Sequence, residues 1–263
     1  MLPLFVTKIF EISSVFSKEG RGGYLIGVSF LSMSRVFNTV ALFLPLKVLI
    51  VFSSSGVPEY FDFLAEWISE DVLIASLVIA TPLAYAVYFT FDYYSVKVLS
   101  KNFNSLKGKS FVVGRYKIEG KKVRWFHEHC SKGLSDILLL LFCFAIMSLV
   151  AFPYFSFLAI ALYGYFFHMA GRICPPDDSY SEYIYGLPVR RFVEYCSGML
   201  YFVLFLALVV FVYFEWLGVY QSLFSLLFSR MMVQSVQRLL VEGFFINKDL
   251  KSCVEEKQLK ENA

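Results

Sequence analysis

The feature that most constrains this 263-residue chain is where its 24 lysines and arginines stand relative to its long apolar runs. Ten of them crowd into the 37 residues from Val96 to Lys132, between two pairs of apolar segments. Three other breaks, Ser53–Asp71, Pro153–Tyr154 and Glu215–Gly218, carry no basic residue. Positive charge beside membrane spans is retained on the cytoplasmic side. The alternation therefore reads as six transmembrane helices with both termini cytoplasmic, and the fold class as all-α, a polytopic membrane protein.

Composition excludes a soluble domain. Hydrophobic residues make up 58% of the chain and charged residues 17%, against about 45–50% and about 25% in ordinary globular domains. A bilayer core of about 30 Å is crossed by about 20 helical residues. Spans are expected at about 24–52, 72–94, 133–151, 155–171, 192–214 and 219–247, within one transmembrane domain covering 21–250. Ahead of it, Leu2, Phe5, Val6, Ile9, Phe10, Ile12 and Phe16 fall near one helical face, so residues 1–20 read as an amphipathic helix in the cytoplasmic headgroup layer. The alternative is an extension of the first span. Residues 96–132 read as a basic cytoplasmic loop and 251–263 as a cytoplasmic tail. The location that follows is the cell inner (plasma) membrane, crossed several times. The five cysteines are an odd number and none lies in an external break, which argues for reduced thiols rather than a disulfide framework.

Smaller elements can be placed between the spans. Phe111–Phe126 alternates around Glu119-Gly120-Lys121 and suggests a β-hairpin, with a helix as the competing reading. Pro58 opens a short amphipathic piece in the first external loop. Pro153 and Tyr154 offer a tight external turn, and Glu215–Gly218 a second. Pro175, Pro176 and Pro188 bracket a short helix expected at Ser179–Tyr185. The sixth helix outlasts a bilayer, so its charged half from Arg230 onward is expected to project into the cytoplasm.

Few residues offer chemistry. Lys107-Gly108-Lys109-Ser110 imitates the end of a phosphate-binding loop, but Phe103 stands where that loop needs its first glycine, which excludes a nucleotide site. His127, His129 and Cys130 in FHEHC, with Cys174 in CPPDD, are the residue types that hold zinc. His-x-His projects to opposite sides of a helix and neither CxxC nor HExxH is present, so no metal and no cofactor are expected. No spacing supports Ser-His-Asp or Cys-His catalysis, and the chain is not read as an enzyme. Charges within the spans are the better lead, because an ionisable group in hydrocarbon requires a partner or a wet cavity. Arg35, Lys47, Asp136, Glu194, Arg230 and Glu242 are such charges. Arg230, Gln234 and Gln237 share one partly polar face, and with Arg35 they suggest a cationic path open to the cytoplasm for an anionic or amphipathic substrate. The competing reading is snorkelling of Arg230 and Glu194 to the inner interface. Lys107, Lys109, Lys121, Lys122 and Arg124 are candidates for contact with a partner or with anionic lipid.

The order of parts resembles the six-helix transmembrane domain of ABC exporters, particularly those of type I secretion and peptide export. An interfacial elbow helix comes first, then a long first span reading SRVFNTVALFLPLKVLIVF with Leu44-Pro45-Leu46 as its apolar LPL run. One substantial external loop, a basic cytoplasmic excursion, tight turns at Pro153 and Glu215 and an inward-running sixth helix follow. The likeness covers about residues 20–250. It implies a permease-like subunit lacking its own ATPase domain and served by an ATPase on a separate chain, within a homodimer in the lipid bilayer and without a nucleic-acid partner. The alternative function is a non-transporting scaffold or accessory subunit in envelope biogenesis or secretion, using the basic loop to hold a partner or anionic lipid.

Overall fold

A computed structural model describes residues 4–20, 23–53, 70–113, 116–173 and 182–261. Among these residues the protein is all-α apart from two small hairpins. The helices are α1 (Leu4–Glu19), α2 (Tyr24–Ser53), α3 (Glu70–Leu106), α4 (Lys121–Val150), α5 (Phe152–Ile173), α6 (Val189–Tyr213) and α7 (Val219–Glu261). Four of them, α2, α4, α5 and α6, are long and apolar enough to cross a membrane. Helices α3 and α7, at 37 and 43 residues, are about 55 and 65 Å long. The short amphipathic piece expected after Pro58 lies outside the described residues.

Helix α7 is the axis of the molecule. Met231, Met232, Val233, Val236, Leu239, Leu240, Phe244, Ile246 and Leu250 are all buried, so this part of the helix is enclosed on several sides rather than along one stripe. It packs against α4, α6, α5 and α1 in turn, and against the first hairpin. The charged half from Arg230 onward, which the sequence places in the cytoplasm, is packed against neighbours along much of its length. The buried residues interleaved with Arg238, Glu242 and Lys248 require neighbours on most sides, and the helix has them.

Helix α1 supplies part of that enclosure. Phe5, Val6, Ile9, Ile12 and Phe16 are buried against α4, α7 and the first hairpin. Glycines admit it: a Cβ on Gly243 would lie 2.4 Å from the Phe5 ring, and one on Gly133 would lie 3.2 Å from Ile9. Small residues let helices approach this closely. The apolar face that the sequence assigned to the headgroup layer covers protein here.

The basic stretch is ordered throughout its described part. It comprises the end of α3, a hairpin of β1 (Phe111–Val113) and β2 (Tyr116–Ile118), and the first turns of α4. Phe111 pairs with Ile118 and Val113 with Tyr116, so the strands are joined through residues 114 and 115 and not through Glu119-Gly120-Lys121. Gly120, at φ 62°, instead turns the chain into α4, and the helix begins at Lys121. Both competing sequence readings were thus half right.

Two further expectations are corrected. The described part of Ser179–Tyr185 is not helical: β3 (Tyr183–Ile184) pairs with β4 (Leu187–Pro188) across a turn in which Tyr185 and Gly186 both have positive φ, 52° and 77°. Two such residues between two strands give the type I′ hairpin geometry. Likewise, α4 and α5 are joined through Ala151 alone. Pro153 sits in the first turn of α5, where its missing N–H leaves no hydrogen bond unmade. Tyr154 is fully buried and its hydroxyl lies 3.0 Å from Ser229 Oγ and donates to the Leu204 carbonyl at 3.2 Å, tying α5 to α6 and α7.

The α6–α7 turn does fall at Glu215–Gly218. Trp216 N donates to Phe211 O at 3.0 Å and Glu215 N to Val212 O at 2.9 Å, the paired bonds of a Schellman ending. The Trp216 and Phe211 rings pack at 5.2 Å. Glu215 occupies the left-handed position, at φ 58°, that glycine usually takes.

Candidate functional site

The interior charges gather where α2, α4 and α7 meet. Asp136, on the buried stripe of α4 with Cys130, Gly133 and Leu139, is fully shielded from solvent. Its Oδ1 lies 2.5 Å from Arg35 Nη1 on α2 and accepts from Arg238 Nε on α7 at 2.9 Å. Arg238 also donates to Ser235 Oγ at 3.2 Å, and Arg35 reaches the Lys132 carbonyl at 3.5 Å. One turn along α7, Glu242 pairs with His129 of α4, whose ring packs at a tilt against Trp125 with centroids 4.0 Å apart. The spacing explains the pairing. His129 and Asp136 are seven apart on α4 and Arg238 and Glu242 four apart on α7, so each pair occupies one face and the antiparallel helices match them in reverse order.

The electrostatics are asymmetric. Two guanidinium groups face one carboxylate, and Asp136 Oδ2 is buried without a hydrogen-bond partner among the described residues. An unmatched carboxylate oxygen beside two guanidinium groups can accept a further donor. The side chains of Arg35 and Arg238 are 19% and 38% exposed, against 0% for Asp136. The network therefore opens outward through its cations.

A cleft of about 380 Å³ lies next to it between α2, α3 and α4. Leu31 is one turn from Arg35, and Ser95, Arg124, Glu128, Ser131 and Lys132 line the rest together with apolar side chains of α3. Glu128 pairs with Lys132 at 2.7 Å, and Arg124 sits 6.0 Å from the Phe103 ring centroid. His127 forms part of the wall and is only 6% exposed. Asn102 Nδ2 donates to the Gly20 carbonyl at 2.7 Å, which leaves Asn102 Oδ1, 3.0 Å away, to accept from His127 Nε2. His127 therefore carries its proton on Nε2 and braces α4 against α3 and the end of α1.

The sequence-predicted path residues are not brought together. Arg35 turns to Asp136, whereas Arg230 is exposed and Gln234 and Gln237 are half-buried at other points around α7. Arg238, which the sequence reading passed over, is the α7 cation that meets Arg35's partner. The signal was available in Asp136: an acid amid an apolar helix requires a cation, and Arg238 stands at the right spacing from Glu242. Glu194 pairs with Arg190 at 3.1 Å near the start of α6. The side chain of Lys47 lies outside the described ones. Lys107, Lys109, Lys121 and Arg124 are exposed and Lys122 is half-buried.

The residue types that could hold zinc diverge. His127 faces Asn102, His129 faces Glu242, and Cys130 is buried in the core. Cys174 lies outside the described residues. Among the described residues no group of three His, Cys, Asp or Glu side chains is placed to hold a metal ion.

Compared with known protein families, with curated proteins and with solved structures, the chain matches none.

Proposed function

We propose that this protein is a multi-pass membrane subunit of permease type. In this reading α2 to α7 are six spans and both termini are cytoplasmic. The Arg35–Asp136–Arg238 network is the polar element of a path for an anionic or amphipathic substrate, and energy comes from an ATPase on a separate chain. The observation that carries it is the burial of one acid against two cations from different helices, an excess of positive charge, beside a cleft that holds Arg124 and Lys132. Ion pairs are costly to bury and are kept inside spans where they serve a pathway or a switch. An anion entering the cleft would compete with Asp136 for the guanidinium groups, and that exchange would loosen α2 from α4 and α7.

The test has two parts. An anionic amphiphile, 8-anilinonaphthalene-1-sulfonate, should bind the purified full-length protein and lose affinity in Arg124→Gln and Lys132→Gln, but not in the exposed control Arg230→Gln. A tagged copy purified from its native membrane should carry an ATPase chain with it. Unchanged dye affinity together with no ATPase would sink the reading.

A second reading rests on a different surface. Lys107, Lys109, Lys117 and Lys121 are exposed around the first hairpin, which is seated on α1 and α7. An ordered cationic face of this kind suits a scaffold that holds an acidic partner or anionic headgroups.

A further inference from the structure

A crevice of about 530 Å³ runs between α5 and α6, helices that contribute no side chain to the Arg35–Asp136–Arg238 network. Helix α5 lines it with Tyr165, His168 and Arg172, and α6 with Tyr195, Met199 and Val203, each set recurring at three- or four-residue intervals down one face. Met199 is 68% exposed and Val203 51%. Both helices are long and apolar enough to cross a membrane, so these side chains stand where acyl chains would be.

The crevice is charged at one end only. Arg172 closes α5 while Phe192 lies in the first turn of α6, so both mark the same end, and Met199 and Val203 lead away from it. Arg172 Nη1 donates to the Tyr185 hydroxyl at 3.2 Å and the guanidinium lies 6.0 Å from that ring's centroid. Among the described residues it has no carboxylate partner. Its position is prepared by the second hairpin, whose turn presents Tyr185 and whose Glu182 is tied to Lys248 of α7. His168 is exposed one turn from Arg172. From Phe192 to Val203 the apolar part is about 16 Å long, which is about half of a 30 Å hydrocarbon core and so the depth of one leaflet.

We infer that this crevice binds one anionic phospholipid, its phosphate at Arg172 and His168 and an acyl chain along Phe192, Met199 and Val203. A cation fixed at the mouth of a slot one leaflet deep recognises a charged headgroup and its chain together, and basic pockets between spanning helices bind acidic lipids on this principle. The assignment does not depend on the transport reading.

Native mass spectrometry of the full-length, delipidated protein tests it, with dioleoylphosphatidylglycerol, dioleoylphosphatidylcholine or glycerol phosphate added. Phosphatidylglycerol should bind the unaltered protein about tenfold more tightly than Arg172→Gln, since one charge-assisted contact is lost. Arg172→Lys should recover part of the difference. Met199→Trp, which fills the slot but keeps the charge, should weaken binding as well. Phosphatidylcholine, whose phosphate is offset by its own ammonium group, should bind more weakly than phosphatidylglycerol and lose less affinity in Arg172→Gln. Equal binding of the two lipids, an unaltered affinity in Arg172→Gln, or displacement by glycerol phosphate would each overturn the proposal, the last by showing a phosphate site with no need of a lipid.

Discussion

Replacing Asp136 by alanine should be among the most damaging single changes in the protein, and the structure fixes the order of its neighbours. The carboxylate is wholly buried and holds Arg35 at 2.5 Å and Arg238 at 2.9 Å. A charge pair at about 4 Å separation gains about 4 kcal/mol at an effective dielectric of 20, and desolvation of a buried ion costs several kcal/mol, so the intact network contributes little net stability. Removing the acid is different, because two guanidinium groups are then left together without their counter-charge. Breaking a buried pair in this way costs about 3–5 kcal/mol, which corresponds to about 6–20 °C in Tm for a chain of this size. Arg35→Gln should cost less, because its partner keeps Arg238, and Arg238→Gln less again, because that side chain is 38% exposed against 19% for Arg35. Thermal unfolding in detergent, followed by tryptophan fluorescence, gives the three values directly. A shift under about 2 °C for Asp136→Ala, or a larger loss in Arg238→Gln than in Arg35→Gln, would refute the reasoning.

Other outcomes follow from packing. Gly243→Ala would place a Cβ 2.4 Å from the Phe5 ring, and overpacking of about 1–3 kcal/mol outweighs the helix propensity gained, about 1 kcal/mol; with Phe5→Ala already present, the same change should turn stabilising. Glu215→Gly should raise Tm by about 1–4 °C, since it removes a left-handed non-glycine residue from the α6–α7 turn. Lys248 donates to Glu182 and holds its carboxylate below the usual range. The contribution of that contact is therefore complete above the ordinary glutamate pKa and disappears as pH falls through the lowered one. Protection of the second hairpin from proteolysis should fall across that acid window in the unaltered protein and be flat in Glu182→Gln.

The helices were legible in the sequence because long apolar runs admit few other structures: each stretch expected to be a span coincides with a helix, overrunning its end by one residue at Ala151 and at Phe214, and four of the helices are long and apolar enough to cross a membrane. What local pattern could not supply was the boundary and the partner. Lys121–Lys132 reads as loop by charge, yet it continues α4 because Val123, Phe126 and Cys130 extend the same buried stripe. Tyr154 beside Pro153 has the composition of a turn; only the presence of Ser229 and the Leu204 carbonyl makes it a core residue. The face of α1 was read correctly as amphipathic, but a single segment cannot say whether its apolar side meets lipid or protein. Gly133 and Gly243, uninformative in isolation, decide that question by leaving room for Ile9 and Phe5. In the candidate site the acid and one cation were recognised individually, and the pairing was missed because Arg238 sits 102 residues from Asp136. Spacing within one helix selected Arg230, which is exposed, whereas the arginine of α7 that meets Asp136 is Arg238.

The most direct test of the six-span reading that underlies the proposed path is cysteine accessibility in intact cells. Cys130 and Cys143 are buried; with Cys174, Cys196 and Cys253 replaced by alanine, single cysteines would be introduced at Lys109, Gly186, Phe152 and Glu215 of the full-length protein. A membrane-impermeant maleimide should label positions 152 and 215 from outside, and positions 109 and 186 only after lysis. Labelling of 109 or 186 in intact cells, or protection of 215, would contradict the arrangement that places α2, α4 and α7 side by side across the membrane with Asp136 between its two arginines.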